Sequence, residues 1–374
     1  ETAAVAVSGV VAALSLAVAL TVMVASFRSS VSQWLDVVLP ADLYLRTAAS
    51  SAAADTAFLP QDFIQAVAGL PGVQRVEAQR MRPLALDPAR PSVVLLARPV
   101  GDASRTLPLV EGPVAVPPGR IAIYVSEAMV DLYGARLGAP FAKLADAFSM
   151  PHERFVVAGV WRDYVRQAGA VLMDTRDYRA LTGDQRANEL QLWLAAAADP
   201  QAVQAGIRAQ ARHFTPSPDA LDIASAADLR AISLRIFDRS FAVTYWLQAV
   251  AIAIGLFGVA ASFSAQVLAR RKEFGLLAHL GLTRRQVLAV VAGEGAAWTL
   301  IGAACGLLLG LAVAMLLVHV VNPQSFHWTM DLLLPWGRLL ALCAAVVLAG
   351  TLTAWAAGRA AAGRDAVLAV KEDW

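Results

Sequence analysis

The sequence predicts a membrane α-helical protein with four transmembrane helices and an α+β extracytoplasmic domain inserted between helices 1 and 2. Three observations predict it. The chain is 58% hydrophobic and only 16% charged, with a mean hydropathy of +0.56, more apolar than most soluble domains. Four long runs are nearly free of charge, each long enough as a helix for a ~30 Å hydrocarbon core. Between the first and second runs, residues 28–239 regain charges, prolines and turn dipeptides, and no stretch there is long enough to span.

The first run, residues 2–27, holds 26 residues without a charge between Glu1 and Arg28. A secretory signal would show a basic start, a shorter apolar core and a cleavage site. Glu1 and the length of the run point instead to a true span in a fragment or processed chain. Its Ala residues, with Ser8, Gly9 and Ser15, suit close packing against other helices.

The inserted domain reads as mixed strands and short helices. A strand with Leu43 and Leu45 alternating is expected within Asp36–Arg46, followed by an Ala/Ser-rich loop over 47–56. Gln61–Ala68 reads as a helix ended by Gly69-Leu70-Pro71-Gly72. Strands are expected at Val73–Leu86, Ser92–Val100, Ile121–Val125, Arg154–Arg162, Ala170–Met173, Glu189–Leu194 and Ala220–Ile223. Ser126 should cap a helix that reaches Tyr133 and stops at Gly134. Further helices are expected at Thr175–Leu181, at Asp199–Phe214 and at Ser225–Arg239, the last leading back to the membrane. Pro108–Gly119 reads as a loop.

The second span, residues 240–269, is uncharged over its 30 residues and has Tyr245 and Trp246 near its start, as an aromatic belt requires. The third, residues 287–320, is interrupted only by Glu294 near its beginning. Its Gly302, Gly306 and Gly310 stand four apart, a doubled G-x-x-x-G that admits a second helix closely. A short turn from Asn322 to Leu334 follows, with Trp328 and Trp336 near the interface. The fourth span, 337–358, precedes a tail at 359–374.

Residues 270–286 lie between spans two and three. Basic clusters, Arg270-Arg271-Lys272 and Arg284-Arg285, bracket an apolar segment in which Phe274, Leu277 and Leu280 share one helical face. Gly281 is placed to stop a helix and Thr283 to cap the next. The reading is a short amphipathic helix at the membrane surface. The plainer alternative is a loop that simply obeys the positive-inside rule. Five Lys/Arg there, with Arg359, Arg364 and Lys371 in the tail, put both on the cytoplasmic side and the inserted domain on the other.

Here the chain resembles the FtsX/MacB-type (type VII) ABC transporter permeases. The match runs through Arg270 or Arg271, Glu273, Phe274, Gly275, Leu280, Gly281, Thr283 and Arg285. It departs at Ala278-His279, where the family has a basic residue followed by Ala. Glu294-Gly295, the glycine-rich third span and the short tail are also similar. The opening residues resemble the start of the second repeat of ten-span members, so the chain is expected to be the C-terminal half of such a permease.

The resemblance implies a transport subunit in a bacterial inner membrane, with no cofactor of its own. It implies a cytoplasmic ABC ATPase as partner, docking on a coupling helix at Arg271, Glu273, Phe274, Gly275, Leu277, Leu280 and Gly281. A second permease copy or half, membrane lipid and a periplasmic partner complete the implied assembly. ATP hydrolysis would move the outer domain (mechanotransmission), to export or extract a lipid, lipoprotein or other hydrophobic envelope substrate. The alternatives are a regulator that activates a cell-envelope hydrolase, and an ATP-independent sensor.

The chain has no G-x-x-x-x-G-K-[ST], so it cannot itself be the ATPase. His152, His213, His279, His319 and His327 show no ligand spacing, and Ser126-Glu127 and Asp163 make no triad. No catalytic or metal residue is expected. Cys305 and Cys343 lie in apolar runs and read as packing residues. The net charge of +2 gives no reason to expect a nucleic-acid partner.

Overall fold

The computed structural model describes residues 2–47, 57–214, 221–269 and 283–361. Eleven helices are numbered here along the described chain: α1 Thr2–Val38, α2 Gln61–Ala68, α3 Ala103–Thr106, α4 Glu127–Tyr133, α5 Ala142–Ala147, α6 Thr175–Thr182, α7 Pro200–Phe214, α8 Ala226–Ala269, α9 Arg284–Leu316, α10 Asn322–Phe326 and α11 Trp336–Ala361. A single π turn, Leu317–Val321, follows α9. The nine strands are β1 Leu43–Thr47, β2 Val73–Leu84, β3 Val93–Arg98, β4 Leu109–Glu111, β5 Ile121–Ser126, β6 Phe155–Trp161, β7 Ala170–Asp174, β8 Glu189–Leu194 and β9 Leu221–Ser225.

Two units divide the described chain. One contains Ser30–Ile236 together with Asn322–Thr329, and the other holds the helical remainder.

The first unit is built on one nine-stranded sheet in the order β4-β6-β5-β7-β3-β2-β8-β1-β9. The pairs β3–β7 and β5–β6 are parallel and the others antiparallel. β6 is buried at every position, as a strand covered on both faces must be, so it reads as a continuous apolar run rather than an alternation. One core gathers Val93, Leu95, Ile123, Phe155, Val157 and Val171 with Met129 of α4, Leu144 of α5 and Tyr178 of α6. A second packs α2 and α7 on β1 and β8, through Phe63, Val67, Val203 and Ile207 against Leu43, Leu45, Leu190 and Leu192.

Most local signals act as their chemistry dictates. Gly134 and Gly183 take left-handed conformations after α4 and α6. Asp199 accepts from the Gln201 N–H at 2.9 Å and Pro200 opens α7, the expected Asp-Pro start. Four readings differ. Ser126 precedes α4, but its Oγ makes no cap bond there; it accepts instead from the Ala170 N–H at 2.9 Å, tying β5 to β7. β4 lies within the expected loop 108–119, and α3 and α5 form where no helix was expected. β4 has only three residues and exists because β6 offers it a ladder, a cause that local sequence does not carry.

Among the described residues, four helices are long and apolar enough to cross a membrane. α1 and α8 outrun their charge-free segments: at 1.5 Å per residue their 37 and 44 residues reach about 55 and 66 Å, against ~30 Å of hydrocarbon. Arg28 ends the apolar run but not the helix, which stops at Val38 ahead of Leu39-Pro40, where the residue before proline is disfavoured in the α region. Within the helical unit, Phe27 of α1 meets Phe237 and Phe241 of α8 edge-on, with ring centroids 5.1 and 5.3 Å apart. Trp246 is 74% exposed on α8. Cys305 and Cys343 are free thiols.

Candidate functional site

The glycine row of the third span is a steric feature. Gly302, Gly306 and Gly310 present bare backbone to α1. A β-carbon added at each would lie 3.0 Å from Val10 Cγ1, 3.1 Å from Leu14 Cβ and 2.6 Å from Val18 Cβ respectively. Val10, Leu14 and Val18 are themselves almost fully buried. The approach tightens towards Gly310, where the Ser15 carbonyl oxygen would also lie 2.7 Å from the added carbon. α11 packs against α9 as well, with Gly350 facing Thr299. Thr299 returns its hydroxyl to the Gly295 carbonyl at 2.8 Å, satisfying it without a partner helix. Glu294 is half-buried near the start of α9.

At the other end of α9 the chain does something that no local signal announces. The π turn leads into Asn322, a buried residue whose Nδ2 donates to the Trp328 carbonyl at 2.9 Å. This closes 322–328 into a small loop, with His327 at a left-handed φ of 58°. Thr329 then meets the first turn of α4. Its Oγ1–H donates to Glu127 Oε1 at 2.5 Å and its N–H donates to Glu127 Oε2 at 3.2 Å. Arg162 Nη2 donates to the same Thr329 Oγ1 at 2.9 Å, and the Tyr164 hydroxyl to the Thr329 carbonyl at 3.2 Å. One threonine is thus held at its amide, hydroxyl and carbonyl.

An aromatic stack backs this clamp. Trp328 meets Tyr164 edge-on at 4.7 Å, Tyr164 meets Trp34 at 5.6 Å, and the Trp34 indole N–H donates to the Arg162 carbonyl at 2.8 Å. Trp328 is 6% exposed. It is buried in protein, not held at the open interface where the sequence placed it. Electrostatics are strained in a definite direction. Burial raises the Glu127 carboxyl above the ordinary glutamate range, opposed by the Thr329 hydrogen bonds and by Arg162. Burial likewise lifts the Tyr164 hydroxyl to about 12.

The expected coupling-helix residues Arg271, Glu273, Phe274, Gly275, Leu277, Leu280 and Gly281 lie outside the described residues. The chain resumes at Thr283, which caps α9 in a reciprocal box: its backbone N–H donates to Gln286 Oε1 at 2.8 Å while its Oγ1 receives the Gln286 N–H at 3.4 Å. Sequence reasoning named Thr283 as this cap and Gly302, Gly306 and Gly310 as packing positions. It missed Glu127, Arg162, Tyr164 and Thr329 as a group, because 165 or more residues separate Thr329 from each of its partners.

Residues 247–366 match the FtsX-like permease C-terminal family. An uncharacterized ABC transporter permease protein of Mycobacterium tuberculosis is 30% identical over 369 residues, covering 95% of this chain and 42% of that protein. The chain therefore spans less than half the length of that relative. The sheet unit is similar to the periplasmic region of MacB from Actinobacillus actinomycetemcomitans (12% identity, TM-score 0.35, covering 51% of this chain and 91% of that one). It is also similar to the extracellular domain of YknZ, a noncanonic ABC-type transporter from Gram-positive bacteria (15% identity, TM-score 0.33, 49% and 98% covered).

Proposed function

We propose that this chain couples ATP hydrolysis by a separate cytoplasmic ABC ATPase to movement of its sheet domain, as the permease subunit of a bacterial inner-membrane transporter. The observation that carries the reading is the match of residues 247–366 to the FtsX-like permeases, a range that includes the segment 270–286. In this reading Phe274, Leu277 and Leu280 form the apolar anchor of a coupling helix in the ATPase groove, with Arg271 and its basic neighbours at the rim. Glu273, Gly275 and Gly281 shape the helix and its stop. The basic segment and tail face the cytoplasm and the sheet domain faces the periplasm.

The architecture suits transmission of force. α1 and α8 each contribute residues to both units, and the loop 322–329 belongs to the sheet unit although it joins two spans. Movement of the spans would therefore be delivered to the sheet domain along three chain segments. The Gly302, Gly306 and Gly310 row would keep α9 and α1 moving as one body. A second permease copy or half supplies the symmetric partner. The cargo is a lipid, lipoprotein or other hydrophobic envelope molecule.

The test is co-purification from detergent, comparing the wild type with Phe274→Asp plus Leu277→Asp. An ATPase recovered with the wild type and lost from the variant supports the proposal. Recovery of none with either removes its support.

A further inference from the structure

We propose that a cavity of about 180 Å³ in the sheet unit binds an alkyl chain that carries an acidic head group, a carboxylate or a phosphate. The cavity lies where the last turn of α1 crosses the middle of the sheet. Its lining combines the apolar Leu96 and Leu172 and the indoles of Trp34 and Trp161 with the charged Arg98, Arg166 and Glu189. The volume equals that of about six waters at roughly 30 Å³ each, enough for a head group and several carbons. The remaining chain would leave past Val165, which is 65% exposed at the rim.

Two unmet donors indicate the head group. Trp161 is 3% exposed, and its indole N–H is buried without a hydrogen-bond partner among the described residues; so is the Nε–H of Arg98. Buried polar groups are normally paired, and both of these groups can only donate, so the missing partner is an acceptor. Its charge follows from the neighbours. Arg166 is matched by Asp163 at 2.9 Å. Arg98 donates only to the Thr106 carbonyl, at 3.0 Å, and no carboxylate pairs with it at ion-pair distance among the described residues. Glu189, the acidic residue lining the cavity, accepts from Gln79 Nε2 at 3.0 Å. An acceptor beside Arg98 is therefore best met by an anion, and the apolar lining asks for a hydrocarbon tail.

The inference names the chemistry of the hydrophobic ligand in the proposed function and rests on that reading for the ligand's role as cargo. Binding here is read without any ATPase, so the two fail separately. The experiment is isothermal titration of the full chain in nanodiscs, with empty nanodiscs as blank, using octanoate, octyl phosphate, octylammonium and octan-1-ol. We expect an acidic ligand to bind about tenfold or more tighter than octylammonium or octanol. Octanoate alone identifies a fatty carboxylate; octyl phosphate, with or without octanoate, identifies a phospholipid-type head. Arg98→Gln should weaken the acidic ligand about tenfold. Val165→Trp, at an exposed rim position, should abolish binding with an unchanged melting temperature. No binding of either acid, equal binding of all four ligands, or undiminished binding by Val165→Trp overturns the proposal.

Discussion

Thr329→Val tests the clamp with almost no change of shape. The substitution deletes one hydroxyl, which donates to Glu127 at 2.5 Å and accepts from Arg162 at 2.9 Å, and it leaves the amide bond to Glu127 in place. Hydrogen bonds to charged groups contribute about 1.5–3 kcal/mol each. Both bonds here involve a charged partner, but neighbouring bonds of one network do not add fully. Glu127 and Arg162 have side-chain exposures of only 10% and 18%, so water replaces the lost partner poorly. A cost of about 2–4 kcal/mol follows, a shift of roughly 30-fold to 1000-fold in the released fraction of the loop. Amide hydrogen exchange by mass spectrometry, on full-length protein in nanodiscs, reads this directly. Peptides covering Phe326–Met330 should exchange faster by that factor, while peptides of β6 and β7 should not. Unchanged exchange in the loop would refute the clamp as an energetic unit.

Other outcomes follow from the same geometry. Replacing glycines with alanine should cost most at Gly310, where the added carbon meets Val18 and the Ser15 carbonyl, and less at Gly302 and Gly306. Overpacking of about 1–3 kcal/mol should appear in that rank order as lowered melting temperatures in detergent, and an inverted order would contradict the packing. Phe27→Ala should cost about 3 kcal/mol or more, since Phe27 is 7% exposed between two rings. Asp238→Ala should cost under about 1 kcal/mol, because its pair with Arg28 is half exposed on both sides; chemical denaturation measures both. Asp184 supplies the pH dependence. Burial opposes its charge, yet hydrogen bonds from Arg186, Arg80 and Tyr178 together hold its carboxyl far below the usual range. A depressed folded pKa means its stabilisation is complete above the unfolded value near 4 and is lost as pH falls further. Asp184→Asn should therefore lower the melting temperature at pH 7 and flatten its decline in acid; an unaltered acid limb would show that other carboxylates govern it.

The sequence and the structure part company for physical reasons. Signals confined to a few neighbours were legible. A glycine at the left-handed stop of α4 or α6, an Asp-Pro opening α7, and an uncharged run of twenty or more residues each act through local sterics or solvation. Ser126 shows the limit. Its position before a helix was legible, but its hydroxyl bonds to Ala170, 44 residues away, because β7 happens to lie beside β5. The loop 322–329 shows it more strongly. Its Asn-Pro and Trp residues read as a membrane-interface turn, since nothing nearby specifies Glu127, Arg162 or Tyr164 as partners. The docking segment is the opposite case: its pattern of Phe274, Leu277 and Leu280 between basic clusters was the most legible feature of the chain, and it lies outside the described residues.

The most direct measurement of the central claim is ATP hydrolysis. The co-purifying ATPase would be reconstituted in proteoliposomes alone, with the wild-type permease, and with Phe274→Asp plus Leu277→Asp. Coupling through residues 270–286 predicts that the wild type changes the hydrolysis rate and that the double variant returns it to the rate of the ATPase alone. Equal rates with wild type and variant would contradict that coupling.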